Sequence, residues 1–413
     1  MNAWHVEWFL DGDAILQDVT LLIAEGRVHD IVSGCASDAV DLGHVALIPG
    51  LVNAHTHLEF SLVSQPIPTS GRFTDWIRSV VAYRRNHGSD PTAAIRTGVA
   101  ESLRAGTTLI GEIATTGWNE TAYSAAGFTG CVFLELLGIG DERVTAQCTV
   151  AKSLATKQGS VDSQARQVFG LSPHAPYSVH PDLFARSVQI AEQNSLPVAV
   201  HLAETEAELE LLANGTGEFR ELLTDFGIWR DGIFGGKKPL DYLQGLAGCS
   251  QVLIIHGNYL DDEELQFLAA HPNMTLVYCP RTHAAFGHRA HPWQRVVELG
   301  GRVAIGTDSR ASNPDLSLFA ELQFMAAENP DFSHLELLEL GSHAGRAAIF
   351  GEASQASADF CLVEWGTGEL DPVQDLFSPR CHVIGTMVGG EWHSLADRFR
   401  LLVPNSRSSI LGK

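Results

Sequence analysis

His55 and His57 stand two apart at the end of the apolar run Leu47–Asn53, and in an extended strand that spacing sends both imidazoles from one face toward a common ion. An H-x-H pair taken alone is more often hydrogen-bonded than metal-bound. Two further stretches change its meaning. The apolar run Pro197–Val200 ends in His201 with Glu204 three residues on, and Arg302–Gly306 leads to Asp308 and Ser309. A buried aspartate at a strand end is costly unless paired, and three neutral imidazoles around a dication give it that partner. Three histidines and one aspartate leave a position for water, the mark of a catalytic rather than a structural ion. An ion held this way brings water deprotonation near neutral pH.

Other metal chemistries lose their support. H-E-x-x-H is absent, and Thr205 stands where H-x-x-E-H would need its second histidine. The P-C-x-x-C half of a zinc nucleobase deaminase of the other fold is missing too. The seven cysteines are scattered, never in a C-x-x-C pair, and odd in number, which argues against a disulfide framework and a cysteine zinc site.

The elements that must position these residues form a regular series. Short apolar runs occur at Leu47–Asn53, Thr107–Gly111, Gly130–Leu134, Gln167–Leu171, Val198–Val200, Val252–Ile255, Thr275–Tyr278 and Arg302–Gly306. Segments with helical spacing, such as Asp182–Gln193 and Asp261–Ala270, lie between them. Strand alternating with helix implies a parallel sheet, and eight units closing on themselves imply an α/β fold of the (β/α)8 TIM-barrel type. A doubly wound open sheet is the alternative. Each run is followed by a group that can bind metal or move protons: His55 and His57, Glu112, Glu135, His174, His201 with Glu204, His256, the stretch 279–283, and Asp308. In a barrel these positions meet at one rim, where barrel enzymes place their chemistry. The β-like runs at both chain ends (Trp4–Phe9, Val19–Ala24, Arg27–Ile31; Asp359–Glu364, Val383–Val388, Glu391–His393) are expected to pair in a small β-sandwich domain. The expected division is therefore 1–48 and 352–413 for that domain and 49–351 for the barrel.

Charge narrows the partners. The 27 Lys plus Arg against 49 Asp plus Glu give a formal charge of -22, which repels phosphate backbones and anionic lipid, so no nucleic-acid or membrane partner is expected. No segment approaches the length of apolar sequence that spans a bilayer, and Met1–Leu10 has no secretory pattern. A soluble cytoplasmic protein is expected.

Taken together, Pro49–His57, Ser172–Tyr177, His201–Glu204, Leu253–His256 and Gly306–Asp308 resemble the amidohydrolase superfamily, in its deaminase and chlorohydrolase branch. The resemblance implies that His55, His57, His201 and Asp308 bind the metal, that Asp308 also takes a proton from water, and that Glu204 shuttles a proton to a ring nitrogen. It further implies that His256 orients the attacking water and that His174 contacts substrate. Binuclear relatives bridge two ions with a carboxylated lysine, and none of Lys152, Lys157, Lys237, Lys238 and Lys413 is placed as one. One divalent ion is expected, zinc, with iron left open.

A second set, His57–Ser61, Phe73–Ile77 with Arg84 and Arg85 following, Pro176–His180 and Gly215–Phe219, is similar to aminodeoxyfutalosine deaminases of the futalosine route to menaquinone. That resemblance implies a purine-like small-molecule substrate with a carboxylate arm, for which an arginine fork is the natural partner. Arg78, Arg84, Arg85, Arg281 and Arg310 are the candidates, and the expected substrate contacts are His174, Trp76, Arg84, Arg281 and Ser309. The chain departs from the branch at Cys279–His283. Deaminases of adenosylhomocysteine, methylthioadenosine, adenosine or guanine and hydrolases of a ring amide or C–Cl bond remain open alternatives, as does a homodimer. A catalytically dead binding protein is disfavoured by the intact set of ligands.

Overall fold

The computed structural model describes all residues except 70, 87–89, 116–119, 126, 159–166, 352–356, 367, 370 and 401–413. Parts of the expected terminal domain, 352–356 and 401–413, thus lie outside the described residues.

The N-terminal strands are β1 (Asn2–Asp11), β2 (Ala14–Ala24), β3 (Arg27–Ser33), β4 (Val40–Asp41) and β5 (Val45–Pro49). The barrel strands follow as β6 (Leu51–Thr56), β7 (Thr107–Ala114), β8 (Gly130–Leu136), β9 (Gln167–Pro173), β10 (Val198–Leu202), β11 (Val252–His256), β12 (Met274–Tyr278) and β13 (Arg302–Ile305). The chain returns to the small sheet with β14 (Phe360–Trp365), β15 (Cys381–Val388) and β16 (Glu391–Leu395).

β6 to β13 lie side by side in chain order, every adjacent pair parallel, as a (β/α)8 barrel requires. Side chains divide by the strand period of two. Cys131, Phe133, Ala199, Leu253, Ile255, Val277 and Ala304 share one apolar cluster. Their neighbours Val132, Leu134, Val198, Val200, Ile254, Leu276 and Val303 pack in another with the surrounding helices. Such double burial explains why these runs read as continuously apolar. Hydrogen bonds rather than a ladder close the ring: the N–H groups of Thr307 and Asp308 both donate to the His55 carbonyl at 3.1 Å. Asn53 reinforces the seam, its Nδ2 donating to Thr307 Oγ1 at 2.8 Å and its Oδ1 accepting from Thr307 N at 3.1 Å.

The terminal strands form one mixed sheet in the order β16-β15-β14-β5-β1-β2-β3, and β5 against β14 is the antiparallel seam between the chain's two ends. The sheet folds over its own core. Trp4 on β1 meets Trp392 on β16 edge-on at 5.6 Å, although β5, β14 and β15 separate the two strands in the sheet. Phe9 likewise meets Phe360 at 5.8 Å.

The expected strand at Leu47–Asn53 is two strands. β5 belongs to the small sheet and β6 to the barrel, with Gly50 as the joint. A side chain there would collide with the Thr108 side chain, and the Gly50 N–H donates to Asp359 O at 2.9 Å. One apolar run therefore serves two cores. Among the described residues no helix is long and apolar enough to cross a membrane.

Candidate active site

The groups that follow the barrel strands meet at the rim formed by the strands' C-terminal ends. His55 and His57 leave β6 with ring centroids 4.9 Å apart, His201 at the end of β10 lies 4.9 Å from His55, and His55 Nε2 is 3.4 Å from Asp308 Oδ1. His57 Nε2 is 3.8 Å from the same oxygen. All four are buried. Ligand atoms of His55, His57 and Asp308 lie within 4.8 Å of one another, as do those of His55, His201 and His256. The two sets share His55, so they describe one centre.

The donor chemistry fits a divalent ion. His55 is fully buried, yet among the described residues neither of its ring nitrogens has a hydrogen-bond partner, and His57 Nδ1 has none either. Buried polar atoms are rarely left this way without a ligand. His201 Nδ1 is bonded to the His174 carbonyl at 2.9 Å, which places its proton there and leaves Nε2 as the free donor, the usual outer-shell arrangement of a ligating histidine. Burial, followed by the neighbouring imidazoles, holds His57 and His201 well below the ordinary histidine range, so both rings are neutral as ligation requires. Asp308 is oriented by Ser312, whose Oγ donates to Oδ2 at 2.5 Å.

Beside the four expected ligands lie Glu204 and His256, with His256 Nε2 3.4 Å from Glu204 Oε1. Burial pushes the Glu204 carboxyl well above the carboxylate range, and the charges of Asp308 and Glu208 add to the effect. A carboxyl whose proton is held more tightly than usual can serve as a proton donor. Ala203, His256 and Asp308 all have left-handed backbone, with φ of 53°, 68° and 55°. Such strain costs of order 1–3 kcal/mol per residue and clusters at functional sites.

His57, His174, His201, Glu204, His256 and Asp308 line one cavity of about 680 Å³. Part of its wall is apolar, built from Phe60, Phe73, Trp76, Val80 and Leu222 among others. Of the expected substrate contacts, His174, Trp76, Arg84 and Ser309 line it. His174 is bonded through Nδ1 to Ser178 Oγ at 2.7 Å, and burial followed by the Arg84 charge lowers its pKa to about 3. Arg84 bonds Glu59 at 2.5 Å and sits 3.8 Å from Glu135, whose two oxygens are buried without hydrogen-bond partners among the described residues.

Arg281 is a correction. It does not line the cavity; its guanidinium is tied to Asp315 at 2.7 Å and to buried Glu321 at 2.8 Å, so its fork is already filled. Arg78 is paired with Asp225 and Arg310 with Glu101, and neither they nor Arg85 line the cavity. The lining arginines besides Arg84 are Arg143 and Arg230, which sequence reasoning missed; both are exposed and have no ion-pair partner among the described residues. Among the lysines, Lys152 is exposed on the helix Asp141–Gln158, and Lys237 and Lys238 pair with Asp241 and Glu263.

The Amidohydrolase family profile matches residues 46–392. The chain belongs to the amidohydrolase family. It is a hydrolase acting on C–N bonds. Within the family it is similar to the aminodeoxyfutalosine deaminase of a Nitratiruptor species, 28% identical over 348 residues that cover 82% of each chain. The fold superposes on Helicobacter pylori aminofutalosine deaminase in complex with methylthio-coformycin, with a TM-score of 0.80 and 22% identity over 95% of this chain and 100% of that one. It also superposes on an adenosine deaminase from Xanthomonas campestris with bound zinc, with a TM-score of 0.77 and 20% identity over 99% and 95%.

Proposed function

We propose that this protein hydrolytically removes ammonia from the adenine-type ring of a small nucleoside, with His55, His57, His201 and Asp308 holding one zinc ion. The observation that carries the reading is the buried Glu204 carboxyl, 3.4 Å from His256 and lining, with His256 and Asp308, one cavity large enough for a nucleoside. When bound, the ion supplies the Lewis acidity that brings water deprotonation near neutral pH.

The chain's own residues do the rest. Asp308 takes the proton of the attacking water as its oxygen bonds to the amino-bearing carbon, and Glu204 protonates the adjacent ring nitrogen. His256 holds the attacking oxygen in line. Asp308 then delivers its proton to the amino group, the C–N bond breaks with its electron pair leaving on ammonia, and the hydroxyl proton returns to Glu204, which leaves an oxo ring. Apolar walls around Phe60, Phe73 and Trp76 exclude competing water and stack on a flat ring.

Aminodeoxyfutalosine is the substrate proposed first, which would place the enzyme in the futalosine route to menaquinone, acting in the cytoplasm. The similarity to the Nitratiruptor enzyme supports this choice, and Arg143 and Arg230, which have no ion-pair partner among the described residues, line the cavity where a carboxylate arm would lie.

The test is a panel of adenosine, methylthioadenosine, adenosylhomocysteine, aminodeoxyfutalosine and a chlorotriazine, followed by ammonia or chloride release and the ultraviolet shift from adenine to hypoxanthine. Ammonia release from an adenine nucleoside, abolished by chelation and restored by zinc, is expected. Chloride release with no ammonia from any nucleoside would overturn the reading.

A further inference from the structure

We propose that His291 is a positioning residue for this reaction, fixing the backbone of His256 and so the direction of its imidazole; the inference rests on the role given to His256 above. His291 follows the part of the chain that departs from the family pattern, and nothing in the reaction otherwise uses it.

Each of the three left-handed residues at the rim has its carbonyl held by a donor from another element. Ala203 O accepts from the Tyr259 N–H at 2.9 Å, and Asp308 O accepts from Thr56 Oγ1 at 2.9 Å. His256 O accepts from His291 Nε2 at 2.7 Å. The first clamp is backbone and the second is a side chain of the barrel wall. The third is a single imidazole on the segment after β12, so it can be removed without touching a barrel strand.

The His291 ring is set for this one task. Its Nδ1 accepts from the Trp293 N–H at 3.1 Å, which puts the ring proton on Nε2, where it faces the His256 carbonyl. Tyr278 stacks on the ring at 4.0 Å and 22°, fixing its plane. A residue with φ of 68° sends its Cβ in a direction that no right-handed or extended conformation reproduces. Releasing the carbonyl lets the backbone relax and swings the imidazole away from the 3.4 Å contact with Glu204.

His291→Phe keeps a ring against Tyr278 and removes the donor; His291→Gln keeps a donor. The readouts are kcat, KM, metal content, melting temperature and a crystal structure of each variant. His291→Phe is expected to lose about 10–100-fold in kcat, the range for groups that orient an active-site residue, with KM and metal content unchanged and with His256 turned away from Glu204. His291→Gln should recover part of the loss. If His291→Phe does not fold, His291→Ala assayed with and without added imidazole asks the same question, and imidazole should restore turnover. Wild-type kcat in the Phe variant, or no rescue of the Ala variant, would overturn the proposal. So would a variant structure that keeps His256 at its positive φ and against Glu204. Absence of ammonia release by the wild-type protein counts against deamination alone, because the structural comparison needs no substrate.

Discussion

Glu208 holds Glu204 by its backbone: one carboxylate oxygen accepts from the Glu204 N–H at 2.9 Å, and the other accepts from the Ala203 N–H at 3.0 Å. Thr205 caps the helix Glu206–Asn214, and a glutamate three residues after such a cap ordinarily bonds back to the cap's own N–H. Here the carboxylate reaches past the cap and fixes the turn that carries Glu204, the proposed proton donor. Burial raises Glu208 to about 7, against the pull of the N–H groups it accepts. Glu208→Ala removes two charge-assisted bonds, each worth about 1.5–3 kcal/mol. A lower melting temperature and a lower kcat are expected, with metal content unchanged by elemental analysis. Glu208→Gln, with one acceptor oxygen, should fall between Ala and wild type; a Gln variant worse than Ala would show that the carboxylate does something else.

Glu204→Gln removes the transferable proton and keeps the shape. General acid–base groups contribute typically about 10²–10⁴-fold, so kcat should fall by that factor while zinc content and KM stay close to wild type. Near-normal turnover would remove Glu204 from the mechanism.

Much of the site could be read before the fold was known because a barrel converts sequence position into spatial position. An apolar run buried on both faces ends where the chain meets the rim, so His55, His57, His201 and Asp308 could be placed together from runs that are far apart in the chain. The apolar pattern could not show that Leu47–Asn53 is shared by two sheets, since both halves are buried and only Gly50 marks the joint. Arginines defeated the pattern for a different reason. A guanidinium reaches far from its Cα, so its partner depends on which carboxylate the fold brings near: Arg281 found Asp315 and Glu321, while Arg143 and Arg230 reached the cavity. Left-handed backbone at Ala203, His256 and Asp308 is equally silent, because none of the three is glycine and only tertiary hydrogen bonds impose it.

The filled fork of Arg281 makes it a structural residue. Glu321 has no exposed side-chain surface, and it also accepts from Asn313 Nδ2 and the Arg281 N–H. Arg281→Ala leaves that carboxylate buried without its countercharge, with only the Asn313 and residue-281 N–H donors remaining, and breaking a buried pair in this way costs about 3–5 kcal/mol. Denaturant unfolding should show a loss of that order, whereas KM for a carboxylate-bearing nucleoside should be unaffected at temperatures where the variant is folded. A raised KM without loss of stability would return Arg281 to the substrate contacts.

His343 joins the small sheet to the barrel's last helix, His343–Phe350, by bonding Asp11 at the end of β1 at 2.9 Å and Glu339 at 2.8 Å. These two carboxylates raise its pKa to about 10, Asp11 contributing most. The folded pKa thus lies above the ordinary histidine value near 6.5, so the folded state binds this proton more tightly than the unfolded state does. The resulting stabilisation is fully present below pH about 6.5, and it fades as pH rises through the folded value. His343 is a little over one-third exposed, so added salt should weaken the contribution at every pH. Melting temperatures of wild type and His343→Gln, compared from acid to alkaline pH, should differ most at and below neutrality and converge toward about pH 10. A difference that grows with pH would mean the imidazole acts here as a neutral hydrogen-bonding group, and the carboxylate pair would lose its place in the link between the two sheets.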